Sequence, residues 1–134
     1  MAYKSYRYFA LIQPDSNADV TTLKENLDTF YSKSSKKPSI LLRDKEIEIL
    51  FDNFTFTISF SDSDWVIEES IEMADDFDTD YNLNDIDKDK LKLCSKRFDI
   101  TGSRADANMD YFNDSLFILS QIEKFTGVTI LDIG

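Results

Sequence analysis

The chain has 134 residues, the usual size of one domain, and 42% of them are apolar, which is typical of a globular protein and not of a disordered one. It contains no histidine, one cysteine and three glycines. These counts remove the commonest general base, zinc sites built from cysteine and histidine, and glycine-rich phosphate loops. We therefore expect a single domain over residues 1–134 that is not an enzyme and needs no cofactor.

The net charge of −11 is concentrated in one segment. From Asp62 to Asp89 there are twelve acidic residues and one basic residue, whereas the rest of the chain has fourteen of each. Such a surface repels nucleic acid and anionic membranes, and it attracts basic proteins or cations. The charge pattern predicts a basic partner, no direct contact with nucleic acid and no contact with a membrane.

The single cysteine, Cys94, excludes a disulfide framework within the chain and favours a reducing cytosol. We expect Cys94 to be a small core residue. The N-terminal residues do not resemble a signal peptide, and no run of about 20 apolar residues could form a transmembrane helix. A cytoplasmic location follows as the expectation.

The first half of the chain predicts a strand, a helix and an antiparallel meander. The strand covers Tyr3 to Gln13, Asn17 or Asp19 can cap the helix that follows, and Pro38 blocks its continuation. Three short runs of alternating residues, joined by tight polar turns, then predict strands at Ser39–Arg43, Glu46–Phe51 and Phe54–Phe60.

The second half predicts helices and two more strands. A helix begins near Asp64 and is followed by a polar connection from Asp75 to Asp85, and a shorter helix carries Leu91. The remaining elements are a strand at Arg97–Thr101, a helix capped by Asn108 with Gly127 just beyond its end, and a strand at Val128–Ile133. The order β-α-β-β-β-α-(α)-β-α-β predicts an α+β fold with one mixed or mainly antiparallel sheet and helices packed mostly on one face.

The segment from Asp76 to Asp87 partly matches a calcium-binding EF-hand loop. Asp76, Asp78 and Asp80 occupy the first three ligand positions. Tyr81 stands where glycine normally makes the sharp turn, and Asp87 is shorter than the usual bidentate glutamate. We therefore interpret the segment as a solvated acidic loop and expect no metal site.

A second carboxylate group comprises Asp106, Asp110 and Asp114, which would align on one face if all three were helical. Paired carboxylates can act as general acid and base, but they also need a shaped pocket. We interpret these residues as a helix start and a surface acid, because the helix dipole favours acids in the first turn.

The acidic segment is the predicted binding surface. Trp65 and Tyr81 adjoin its acids, and aromatic residues beside charges are typical anchors at protein interfaces. The predicted partner-binding residues are Asp62, Asp64, Trp65, Glu68, Glu69, Glu72, Asp75, Asp76, Asp78, Asp80, Tyr81, Asp85 and Asp87.

Three segments in the C-terminal part of the chain, Cys94–Ile100, Asp110–Leu116 and Gly127–Asp132, resemble small bacterial proteins found as immunity proteins or in the neighbourhood of toxins. The resemblance covers about a third of the chain. It implies a small cytoplasmic protein that blocks a partner by binding, and it transfers no catalytic residue.

The first functional hypothesis is therefore an immunity-type inhibitor that occludes a basic partner such as a nuclease toxin. Acids would steer the encounter and an aromatic residue would anchor the interface. Two alternatives remain, a carboxylate-based calcium-binding protein and a DNA mimic whose acids imitate phosphates. The sequence does not predict the oligomeric state.

Overall fold

The computed structural model describes residues 5–80 and 88–134, with side chains outside 76–80. The described elements, in chain order, are β1 Arg7–Ile12, α1 Val20–Ser32, β2 Ser39–Arg43, β3 Glu46–Leu50, β4 Thr55–Ser61, α2 Asp64–Asp80, α3 Lys88–Lys92, β5 Lys96–Gly102, α4 Phe112–Glu123 and β6 Val128–Asp132. Among these helices, none has the length and apolar character needed to cross a membrane.

All six strands form one antiparallel sheet in the order β2-β3-β4-β5-β1-β6. The β2–β3 hairpin turns in two residues because Asp44 adopts a left-handed φ of 53°, a conformation that aspartate tolerates better than most residues. The predicted α+β class and the predicted order of elements are confirmed.

The larger core lies between one face of the sheet and the helices α1 and α4. Helix α1 packs over β2 and β3, α4 packs against β6, and the two helices contact each other. Alternate strand residues supply the sheet side of this core, and the stripes Leu23–Leu27 and Ile118–Ile122 supply the helical side. The predicted cap of α1 is Asp19, whose carboxylate accepts a hydrogen bond of 2.9 Å from the amide of Thr22.

A smaller core lies on the opposite face, where α2 and α3 pack. Ala74 of α2, Leu91 of α3 and Cys94 meet Leu11 of β1 and Leu131 of β6. Cys94 is buried, as expected, and burial raises the pKa of its thiol to about 11 although a hydrogen bond from Gln13 acts in the other direction. Unlike the first face, this face carries helices over only part of its width, so the outer strands β2 and β3 present exposed residues such as Leu41 and Glu46.

Two predicted helix boundaries were wrong, and the first strand, predicted over Tyr3 to Gln13, is shorter among the described residues, at Arg7–Ile12. The backbone of α2 continues through Asp80, where a polar connection was predicted from Asp75 onward. Helix α4 begins at Phe112 with Tyr111 as its N-cap residue, so Asn108 does not cap it. The segment before α4 is instead organised by Asp106, as described below.

Candidate interaction surface

Helix α2 carries most of the predicted binding residues and is anchored by a narrow buried stripe. Val66, Ser70 and Ala74, spaced four residues apart, are fully buried against the sheet and α3. The Ser70 hydroxyl donates to the carbonyl of Val66 at 2.8 Å, which satisfies this polar group inside the contact. Of the other residues from Asp64 to Asp75, Glu69 and Met73 are half-buried and the remainder are exposed.

A buried arginine fixes the N-terminal half of α2 to β5. The Arg97 side chain is 4% exposed, and its guanidinium donates to both carboxylate oxygens of Asp99, with nitrogen–oxygen distances of 2.6 and 3.2 Å. A third bond of 3.1 Å reaches Glu69 of α2. The guanidinium carbon also lies 3.9 Å from the ring centroid of Phe9 and 4.9 Å from that of Trp65. Bidentate pairing and stacking together hold Trp65 and Glu69 at defined positions.

The solvent face of α2 combines carboxylates with apolar side chains. Asp64, Glu68 and Glu72 are exposed, and within the described residues none of them pairs with a basic side chain. Trp65, Ile67 and Ile71 are 40%, 40% and 42% exposed. Large apolar side chains beside charged ones are characteristic of protein interfaces, whereas helices that serve only solubility rarely expose them.

Three acids of the predicted set already have basic neighbours from outside the acidic segment. Asp62 pairs with Lys45 at 3.0 Å and Asp75 with Lys92 at 3.5 Å, and both pairs are largely exposed. Glu69 pairs with Arg97 as described above. The fold therefore offsets part of the charge that the sequence concentrates between residues 62 and 89.

The other predicted binding residues are not described to the same extent. Asp76, Asp78 and Asp80 belong to the helical backbone of α2. Tyr81, Asp85 and Asp87 lie outside the described residues. A helix over residues 76–80 is not the loop that the first half of an EF-hand requires. Among the described side chains, no group of three or more potential metal ligands comes together.

The second carboxylate group does not lie on the surface as a unit. Asp106 and Asp114 are both buried, each 2% exposed, whereas Asp110 is exposed. The interpretation of a surface acid was therefore wrong for Asp114. The sequence signal that could have indicated burial is the position of Asp114 beside the apolar stripe of α4, one turn before Ile118.

Asp106 organises the turn that leads into α4. Its carboxylate accepts a 2.7 Å hydrogen bond from the Tyr6 hydroxyl and bonds of 3.1 and 2.8 Å from the amides of Asp110 and Tyr111. Burial alone would raise the pKa of Asp106, but these three bonds and the nearby Arg104 charge hold it below its usual range. Burial, together with the bond to Asp106, raises the pKa of Tyr6, so its hydroxyl remains a donor.

Asp114 forms the second buried network. It accepts a 2.9 Å bond from the Tyr31 hydroxyl and a 2.6 Å bond from Lys36, whose ammonium also lies 4.8 Å from the ring centroid of Tyr111. Lys36 and Tyr111 line an open cavity of about 650 Å³. Because both carboxylate oxygens of Asp114 and the Lys36 ammonium are engaged, this arrangement is suited to joining α1, α4 and the loop before β2.

Comparisons of the chain with protein-family models, with curated proteins and with solved structures found no match.

Proposed function

We propose that this protein is a binding domain that uses the solvent face of α2 to occlude a basic partner protein, as an immunity-type inhibitor of a toxin such as a nuclease would. The observation that carries the proposal is the combination, on one helix, of the exposed Trp65, Ile67 and Ile71 with three exposed carboxylates that form no ion pair within the described residues. The carboxylates would steer a basic partner, and the apolar side chains would supply the contact area.

The position of Trp65 supports this assignment. Its ring is stacked on a buried guanidinium, so it loses little conformational freedom when a partner covers it. A DNA mimic would need rows of acids that replace phosphates, and the exposed isoleucines would contribute nothing to that role. They therefore favour a protein-binding surface over a phosphate-like one.

The test begins with a pull-down from the native host, with the partner identified by mass spectrometry and then purified. Association is measured for the wild-type protein and for the triple variant Asp64→Asn/Glu68→Gln/Glu72→Gln. We expect the variant to associate roughly tenfold more slowly at about 10 mM salt, because long-range steering is strong when the Debye length is about 30 Å. The difference should shrink at about 150 mM salt.

A matched control carries the same change in charge elsewhere. Asp15, Glu25 and Glu123 are exposed and form no ion pair within the described residues. The variant Asp15→Asn/Glu25→Gln/Glu123→Gln therefore loses the same negative charge as the α2 variant, and a difference between the two reports the position of the charges. A second variant, Ile67→Gln/Ile71→Gln, should raise the dissociation rate with little effect on association. Equal association rates for the two triple variants, or unchanged dissociation of the isoleucine variant, would remove α2 as the binding surface.

A further inference from the structure

Strand β2 forms one edge of the sheet. Its residues Ser39–Arg43 pair with β3 on one side, and no strand of the described chain pairs with the other side. An open edge presents unpaired amides and carbonyls and can accept another strand. The hydrogen bonds between the strands show which main-chain groups of β2 point outward.

The hydrogen-bond pattern identifies the groups that face outward. The amide of Phe51 donates to the carbonyl of Phe54 at 2.8 Å, so odd-numbered residues of β3 bond to β4 and even-numbered residues bond to β2. The register places even-numbered residues of β3 opposite odd-numbered residues of β2. The amides and carbonyls of Ile40 and Leu42 therefore point away from the sheet.

The three central side chains of β2 are apolar. Leu41 is 40% exposed on the face that α2 and α3 cover only in part, and Ile40 and Leu42 lie half-buried at the margin of the larger core. Natural edge strands are usually protected by a lysine, a proline or a bulge. None of these lies within β2, whose only charge is Arg43 at its end.

We propose that two copies of this protein associate through β2, which pairs antiparallel with β2 of the second copy about a two-fold axis at Leu41. In this register Ile40 and Leu42 exchange hydrogen bonds with Leu42 and Ile40 of the second copy, so all the outward groups of both residues are paired. The two six-stranded sheets then join into one continuous sheet.

The strand is complementary to itself in this register. Leu41 faces Leu41 of the second copy as a non-hydrogen-bonded pair, with Cα atoms about 4.5 Å apart. Ile40 lies beside Leu42 of the second copy, which extends the apolar margin of the core. Arg43 lies opposite Ser39 of the second copy, so like charges do not oppose each other across the pair.

The net charge does not prevent this contact. Helix α2 contacts β5, which is three strands from β2, or about 14 Å at the usual strand spacing. This distance exceeds the Debye length of about 8 Å at physiological ionic strength. Because two strands of five residues bury less than the roughly 1,200 Å² of a standard interface, we expect a dimer that dissociates on dilution.

Disulfide crosslinking tests the register. In Leu41→Cys the two cysteines would face each other within the Cα range of about 4.4–6.8 Å that a disulfide requires, so mild oxidation should give a covalent dimer. Thr57→Cys is the matched control, because Thr57 lies in the same cross-strand row but on the interior strand β4. Cys94 is buried in both variants and contributes equally. Equal crosslinking of the two variants would overturn the proposal.

Sedimentation over a concentration series tests the association without a crosslink. We expect wild type and Thr57→Lys to show the same increase in mass with concentration, whereas Leu41→Lys should remain monomeric over that range, because the lysines of the two copies would oppose each other. A wild-type protein that is monomeric up to millimolar concentration, or a dimer that persists unchanged in Leu41→Lys, would overturn the proposal.

Discussion

Asp106 and Asp114 are buried carboxylates, and each is paired with a tyrosine hydroxyl from a distant part of the chain. Tyr6, which directly precedes β1, is 100 residues from Asp106, and Tyr31 of α1 is 83 residues from Asp114. An ionised carboxylate in the interior is tolerated only when hydrogen bonds replace its hydration. These two residues therefore connect separate elements of the fold through buried hydrogen bonds.

Replacing Asp106 with asparagine should reduce stability and its dependence on pH. A carboxylate whose pKa is lowered in the folded state contributes stability that is full above its unfolded pKa of about 3.9 and is lost as pH falls through the lower folded value. The asparagine cannot accept all three bonds as an anion does, so we expect a loss of about 1.5–3 kcal/mol at pH 7. Thermal unfolding measured from pH 7 to pH 2 would check both effects.

The change in stability at acidic pH provides the decisive comparison between wild type and Asp106→Asn. Wild type should lose stability relative to Asp106→Asn as pH falls below about 4, because only wild type loses the charged acceptor. The conservative control is Asp110→Asn, at an exposed residue of the same turn. Parallel pH profiles for wild type and Asp106→Asn would show that this carboxylate is not the titrating group.

Helices α2 and α3 form a thin layer on the second face, and its core is small. Among the side chains that the structure describes, five buried apolar residues make up this cluster, compared with nineteen in the cluster under α1 and α4. Units with few buried contacts open at lower free energy than the main core. The α2–α3 layer should therefore separate from the sheet before the whole domain unfolds.

Labelling of Cys94 reports this opening, because its thiol is buried between α3 and the sheet and its raised pKa suppresses the thiolate. We expect Leu91→Ala to accelerate labelling by at least about tenfold, since a large-to-small change in a core costs about 2–5 kcal/mol. Leu93→Ala is the control, because Leu93 is 61% exposed two residues away.

The free energy of opening from the labelling rates is then compared with the global value from circular dichroism. A free energy of opening at Cys94 that lies below the global free energy of unfolding in the wild type would support an independent α2–α3 layer, with Leu91→Ala lowering both values by a similar amount. Equal free energies for opening and for global unfolding would contradict it and would show that the domain unfolds as one cooperative unit.

At the scale of the whole molecule, a net charge of −11 on 134 residues opposes the compact state through self-repulsion. Three of the described ion pairs are at least partly exposed on both sides, and such pairs contribute about 0–1 kcal/mol each. Three others have one buried partner and are screened less by salt. Repulsion should therefore outweigh attraction in the response to salt.

Raising the sodium chloride concentration from 10 to 150 mM should accordingly stabilise the protein. We expect a gain of about 1 kcal/mol, or roughly 4 °C in the midpoint of thermal unfolding. The gain should be smaller in Asp64→Asn/Glu68→Gln/Glu72→Gln than in the control Asp15→Asn/Glu25→Gln/Glu123→Gln, because the acids of α2 are crowded together. A midpoint that falls with salt would mean that the ion pairs outweigh the repulsion.

The amino-acid sequence by itself determined the class of fold and the order of its elements. Period-2 runs such as Phe54–Phe60 and helical stripes such as Leu119–Ile122 reflect local geometry that does not depend on distant contacts. The concentration of acids between Asp62 and Asp89 and the burial of Cys94 could also be predicted, because composition and residue type decide them.

Only the tertiary structure decided which charges are paired and which are buried. Arg97 contacts Glu69 and Trp65 because α2 folds back over β5, and Asp106 accepts a hydrogen bond from Tyr6, which is 100 residues away in the sequence. The same reason explains the open edge at β2, since no local pattern shows which strand ends a sheet. Long-range pairing, which propensity and periodicity do not encode, therefore decided where the candidate binding surfaces lie.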